Sequence, residues 1–141
     1  MKLKLNQRFE DRKAISNILG GDTQKGITRS RKQNIILLFT NEEELYTDYF
    51  YSKDDCDYCM YTGIGRKGNQ DSIKNNMYNL NIAVLSHQEN KKDLLLFEKR
   101  KDGYYFVGQY NLIETHQNTQ PDANGDMRRV FVFHLKKVKD K

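Results

Sequence analysis

The sequence predicts an α+β fold, mainly β: a curved, barrel-like antiparallel sheet of five or six strands with two helices at its edge. Three observations predict it. Nine Tyr and seven Phe in 141 residues suit a pleated, half-buried surface. Short apolar or alternating runs recur along the chain, whereas helical spacing appears only twice. Glycine and Asp-Gly signals separate the runs.

Taken in order, Arg8 to Leu19 places Phe9, Ile15, Ile18 and Leu19 near one helical face, and Gly20-Gly21 ends that helix. Residues 22–33 read as a polar, basic loop. Ile35-Ile36-Leu37-Leu38-Phe39-Thr40 reads as a strand buried on both faces. Asn41 to Asp57 is acidic and tyrosine-rich without a clean period, which predicts loop with at most a short strand. A strand follows at Cys59-Met60-Tyr61-Thr62, then Gly63, Gly65 and Gly68. Met77, Leu80, Ala83, Val84 and His87 predict a helix over 76–88. Asp93 to Lys99 and Tyr104 to Ile113 form a predicted hairpin around Asp102-Gly103, with Gly108 marking a bulge or close approach. His116 to Asp126 reads as a long polar loop containing the single proline, Pro121. Arg129 to Val138 alternates and closes the sheet.

The length fits one domain, 1–141, with residues 1–33 packed on the rest. Net charge is +5, and its distribution says more than its total. Residues 1–33 hold nine bases and three acids, residues 41–57 hold seven acids and one base, and residues 58–141 hold fourteen bases and nine acids. Such a dipolar surface orients an incoming polyanion; it is also what unevenly charged solvated loops look like. No run of about eighteen apolar residues occurs, which predicts no membrane span. The N-terminus has no apolar signal core, and two cysteines make no disulfide framework, so a reducing cytoplasm is the expected compartment.

Metal and enzyme readings are weak. Cys56-x-x-Cys59 is half a zinc site, and His87, His116 and His134 have no ligand-pair spacing among themselves. No metal or cofactor is expected. Pro121-Asp122 lacks a following Asp/Glu-x-Lys, and neither a Gly-x-Ser-x-Gly nor a Walker loop is present. A binding domain is expected rather than an enzyme.

Base binding has a positive signal. Tyr46 and Asp48 lie little more than a dozen residues before Tyr61. Two aromatic rings can sandwich an unstacked base, and a carboxylate can accept from its exocyclic amine. An acid is otherwise unwelcome near phosphates. The bland alternative is that Tyr46 fills the core and Asp48 starts a turn. The glycine-rich stretch, with Arg66 and Lys67 between its glycines, is equally compatible with a hairpin turn carrying a basic tip.

Several motifs then occur in a recognisable order: Gly26-Ile27, Ile36-Leu37-Leu38-Phe39-Thr40, Tyr46-x-Asp48, Tyr61-Thr62-Gly63-x-Gly65-x-x-Gly68-x-Gln70, Asn81-x-Ala83, Leu94-Leu95-Leu96-Phe97-Glu98, Tyr104-x-Phe106-Val107-Gly108-x-Tyr110, Pro121-Asp122 and Arg129-x-Phe131-Val132-Phe133-x-Leu135. Over about residues 26–137 the chain resembles the SRA (SET- and RING-associated, YDG) domains, in the bacterial branch found beside HNH restriction endonucleases. The resemblance implies a PUA-like curved barrel with two or three flanking helices that binds duplex DNA and flips out a modified cytosine of 5-methyl or 5-hydroxymethyl type. It implies that Tyr46 and Tyr61 stack on the base, that Asp48 accepts from its amine, and that Thr62, Gly63 and Gly65 shape the pocket. Arg66, Lys67 and Gln70 would approach the DNA or fill the space the base vacates, and Arg29, Arg31 and Lys32 would contact phosphates. Eukaryotic members carry more residues between the first tyrosine and its aspartate, so Tyr49 is an alternative stacking ring. A nuclease is expected in a fused or partner domain. The alternative from another class is a PUA-like RNA-binding module; a compact base-modifying enzyme is a third.

Overall fold

Four consecutive apolar residues, Ile35 to Leu38, are all buried, because the strand that carries them has a core on each face. The computed structural model describes residues 3–41, 48–72 and 74–139. In chain order these form β1 (Arg8–Phe9), α1 (Arg12–Leu19), β2 (Ile27–Arg29), β3 (Ile35–Thr40), β4 (Tyr49–Lys53), β5 (Cys56–Thr62), α2 (Asn76–Leu85), β6 (Asp93–Arg100), β7 (Gly103–Pro121) and β8 (Met127–Lys137). The strands make one curved sheet in the order β2-β3-β6-β7-β8-β5-β4, with β1 paired to β7. One cluster fills the inside of the curve, with Ile36, Leu38, Tyr61, Val84, Phe133 and Leu135 among its members. A second lies under α1 and contains Phe9, Ile15, Leu19, Ile35, Leu37 and Phe97. β3 and β6 send alternate residues into the two clusters, as the period of a strand requires.

The mainly β architecture with two helices is as the sequence predicts, but the sheet has more strands and a different partition. The first helix starts at Arg12, not Arg8, because Asp11 caps it: its carboxylate accepts from Ala14 N–H at 2.8 Å. Residues 8–9 are drawn off to pair with β7. The expected loop 22–33 contains β2. In the acidic segment, β4 and β5 form a hairpin whose turn residues Asp54 and Asp55 both have positive φ (54° and 62°) without a glycine. The helix expected over 76–88 stops at Leu85. His87 is instead buried, bonded to Lys92 O and accepting from Leu112 N–H.

The expected polar loop 116–126 is mostly strand: β7 continues to Pro121 against β8. Its polar composition reflects an arm that is largely exposed from Ile113 to Pro121, so alternation has nothing to record. The sheet is also not purely antiparallel, since β3 runs parallel to β6. At Gly108 the register shifts between Leu96 and Phe97, which is the predicted bulge.

Candidate nucleic-acid interface

The sheet curls until its two ends meet, and side chains join them. β5 and β3 are separated in the sheet by three strands, yet the Tyr61 hydroxyl reaches across. It lies 2.9 Å from Gly26 O and 2.8 Å from Phe39 O. Asp48, just before β4, makes a second link. One carboxylate oxygen accepts from Thr62 N–H at 2.7 Å, and the other from the Thr40 hydroxyl at 2.8 Å. Burial raises the Asp48 carboxyl from its ordinary value to about 6, against the opposing effect of these hydrogen bonds.

At this seam lies a cavity of about 410 Å³, within the range of small-ligand sites. Asp48, Tyr61, Thr62, Gly65 and Arg66 line it, together with Phe39, Thr40, Ile64, Met77 and Tyr104. Arg12, Lys25, Lys99 and Arg66 supply cations around Asp48, the one lining carboxylate among the described residues. The Arg12 guanidinium sits 3.5 Å from the centroid of the Phe39 ring and donates to Lys25 O at 2.8 Å. Phe39 and Tyr104 meet edge to face at 5.9 Å.

The glycine-rich loop is held from behind. Asn81, fully buried in α2, pairs with both backbone groups of Ile64 at 2.9 Å. Gln70 donates to Gly63 O at 2.7 Å and accepts from Phe131 N–H at 2.9 Å. A Cβ on Gly63 would stand 2.7 Å from Gln70 Oε1 and 2.8 Å from Asn81 Oδ1, so the glycine is required by close approach. Asp122, in the β7–β8 turn, accepts from Gly68 N–H at 3.2 Å, and this bond with its neighbours holds its carboxyl below the ordinary range. Arg129 pairs with Asp71 at 3.1 Å.

Several expected roles change. Gln70 is a buried clamp within the fold, not a DNA-facing side chain. Gly63 packs behind the cavity, not in its wall. Tyr49 is 54% exposed, sits on β4 beside Tyr51, and does not line the cavity. Tyr46 lies outside the described residues. Arg66 and Lys67 are exposed on the loop. Arg29, Arg31 and Lys32 line a second groove with Lys92 and Lys25, and Lys25 also borders the cavity. Sequence reading missed Arg12, because the helix was started too early to show it at the first turn. It also missed Phe39 and Tyr104, which look like ordinary strand residues. Their sequence signal is their place in the motifs Ile36-Leu37-Leu38-Phe39-Thr40 and Tyr104-x-Phe106-Val107-Gly108-x-Tyr110, which assign them no role in a site.

Comparison with known proteins adds the following. The family model described as "ScoMcrA-like, SRA domain" matches residues 5–141. No curated protein matches the chain. The Type IV phosphorothioation-dependent restriction endonuclease ScoMcrA shares its fold, with a TM-score of 0.73 and 20% identity over 99% of this chain and 29% of that one. The SRA domain of SUVH5 bound to hemimethylated CG DNA gives 0.69 and 20%, over 100% of this chain and 92% of that one. The DNA modification-dependent restriction endonuclease AspBHI gives 0.67 and 14%, over 96% and 73%. The chain thus spans under a third of ScoMcrA.

Proposed function

The chain belongs to the ScoMcrA-like SRA domain family, and we propose that it reads modified duplex DNA by taking one extruded cytosine into the seam cavity. The observation that carries this reading is a desolvated carboxylate, Asp48, in a cavity whose other charged lining residues, among the described residues, are all cations. A phosphate site would exclude such a group; a site for a base amine needs it.

Tyr61, 2% exposed and with its hydroxyl committed to two backbone carbonyls, borders the cavity, and in this reading the base lies against the part of its ring that lines it. Ionised Asp48 accepts from the cytosine amine. Thr62, Gly65 and Ile64 border the space left for a 5-substituent. Arg66 and Lys67 on the loop, and Arg29, Arg31 and Lys32 along the second groove, meet phosphates.

The magnitudes are compatible. Extrusion costs a few kcal/mol, an aromatic face returns about 1–3 kcal/mol, and phosphate contacts supply the salt-dependent remainder. One methyl adds only about 1–3 kcal/mol of discrimination. SUVH5 SRA structures hold methylated and hydroxymethylated CG DNA, which supports the 5-substituted cytosine class. The domain is a binding module, and in this reading any nuclease acts from a fused or partner domain, as a modification-dependent restriction system requires.

The test is a gel-shift panel at fixed salt. It uses duplexes identical except for one cytosine, unmodified, 5-methyl or 5-hydroxymethyl, with a hairpin RNA as competitor. Tighter binding of a modified duplex supports the reading. Equal binding of all three duplexes, or displacement by the RNA, defeats it.

A further inference from the structure

The sequence offers no histidine pair at ligand spacing, but the sheet register makes one. Glu114 and His116 are two apart on β7 and project from the same face. His134 on β8 stands directly opposite Glu114. One ligand atom from each of these three residues falls within 4.8 Å of the other two, and His116 Nε2 is 3.5 Å from a Glu114 oxygen. The cluster is on the outer face, away from the seam: the neighbouring residues Phe133 and Leu135 point into the inner core.

We propose that Glu114, His116 and His134 form a site for one divalent transition cation of the zinc, cobalt or nickel type. Two imidazoles and a carboxylate are the donor set such borderline cations prefer, and three protein ligands leave a position for water. The hard cation Mg²⁺ has little affinity for imidazole. The backbone spacing is set by paired strands rather than a loop, so little ordering is needed to bind. The Tyr51 hydroxyl hydrogen-bonds His134 Nε2, and the Tyr58 ring lies 5.5 Å from the same imidazole. Both fix the orientation of His134, as the outer groups around a ligating histidine do. A bound cation would clamp β7 to β8 at the base of the exposed arm, whose far turn carries Asp122 and so holds the glycine-rich loop.

The test is calorimetric titration of the whole chain with Zn²⁺, and separately with Mg²⁺. One Zn²⁺ per chain is expected, with no comparable Mg²⁺ binding. His116→Ala and His134→Ala should each weaken Zn²⁺ binding by about tenfold or more. Circular dichroism checks that each variant is folded; Glu114→Gln, a smaller change on the exposed arm, serves if either is not. Co²⁺ absorption bands that appear with the wild type and vanish with these variants would support the same ligands. Absence of Zn²⁺ binding overturns the proposal. So does binding that survives the His116→Ala/His134→Ala pair, or that is lost instead in Cys56→Ser.

Discussion

The carboxylate of Asp48 accepts a hydrogen bond from the backbone N–H of Thr62 at 2.7 Å. This places an acid at the point where the two ends of the curved sheet come together. The same carboxylate binds the Thr40 hydroxyl on the opposite side of the seam. It therefore has two tasks, closing the seam and presenting a negative charge to the cavity, and they respond differently to substitution.

Asp48→Asn separates them. The amide can still accept from Thr62 N–H and donate to the Thr40 oxygen, so the fold should survive. The charge, and with it the strong acceptor for a cytosine amine, is lost. Affinity for the modified duplex should fall by about tenfold, the scale of one charge-assisted hydrogen bond, in gel shifts at pH 7.5.

The pH dependence follows from the same group. Its folded pKa, about 6, lies above the ordinary carboxylate value of 3.8. Stability linked to Asp48 is therefore fully present below about pH 4 and is lost as pH rises through 6. The loss is on the order of 2 kcal/mol, allowing for partial solvent screening. Urea midpoints measured between pH 4 and 7.5 should fall in the wild type by more than in Asp48→Asn. Binding should run the other way: relative to Asp48→Asn, the wild type should gain affinity for modified DNA as pH rises from 5 to 7.5.

Tyr61→Phe removes the one hydroxyl proton shared between Gly26 O and Phe39 O across the seam and leaves the ring. The expected cost is about 1–3 kcal/mol, read from chemical denaturation. Binding should fall less than in Tyr61→Ala, which also removes the stacking surface.

Gly63→Ala should be destabilising by about 1–3 kcal/mol through overpacking against Gln70 and Asn81. It should weaken binding of every duplex by displacing the loop, without altering the ratio between them. Arg66→Ala should leave stability unchanged and reduce the salt slope of binding by about one.

How much of this was legible in the sequence depends on the element. Ile35 to Phe39 announced a doubly buried strand because continuous apolarity has few other uses. Glycines at 63, 65 and 68 announced a special loop. The β4–β5 turn was hidden because two aspartates take the left-handed positions that glycine or asparagine usually marks. The β7 arm was hidden because exposure on both faces removes alternation. Within the site, Asp48 was legible through the Tyr46-x-Asp48 motif ahead of Tyr61, although its own segment is acidic. Gln70 was misread because a polar residue beside Arg66 and Lys67 looks solvated, and only the fold turns it inward. Arg12 and Tyr104 reach the cavity through contacts distant in sequence, which no local pattern carries.

The most direct measurement is fluorescence of 2-aminopurine placed next to the modified cytosine in an otherwise identical duplex, titrated with the chain to saturation. If the cytosine leaves the stack for the seam cavity, the probe loses a stacking neighbour and its emission rises, and the rise is lost with Tyr61→Ala. Saturated binding, verified by gel shift, with emission unchanged would contradict base extrusion.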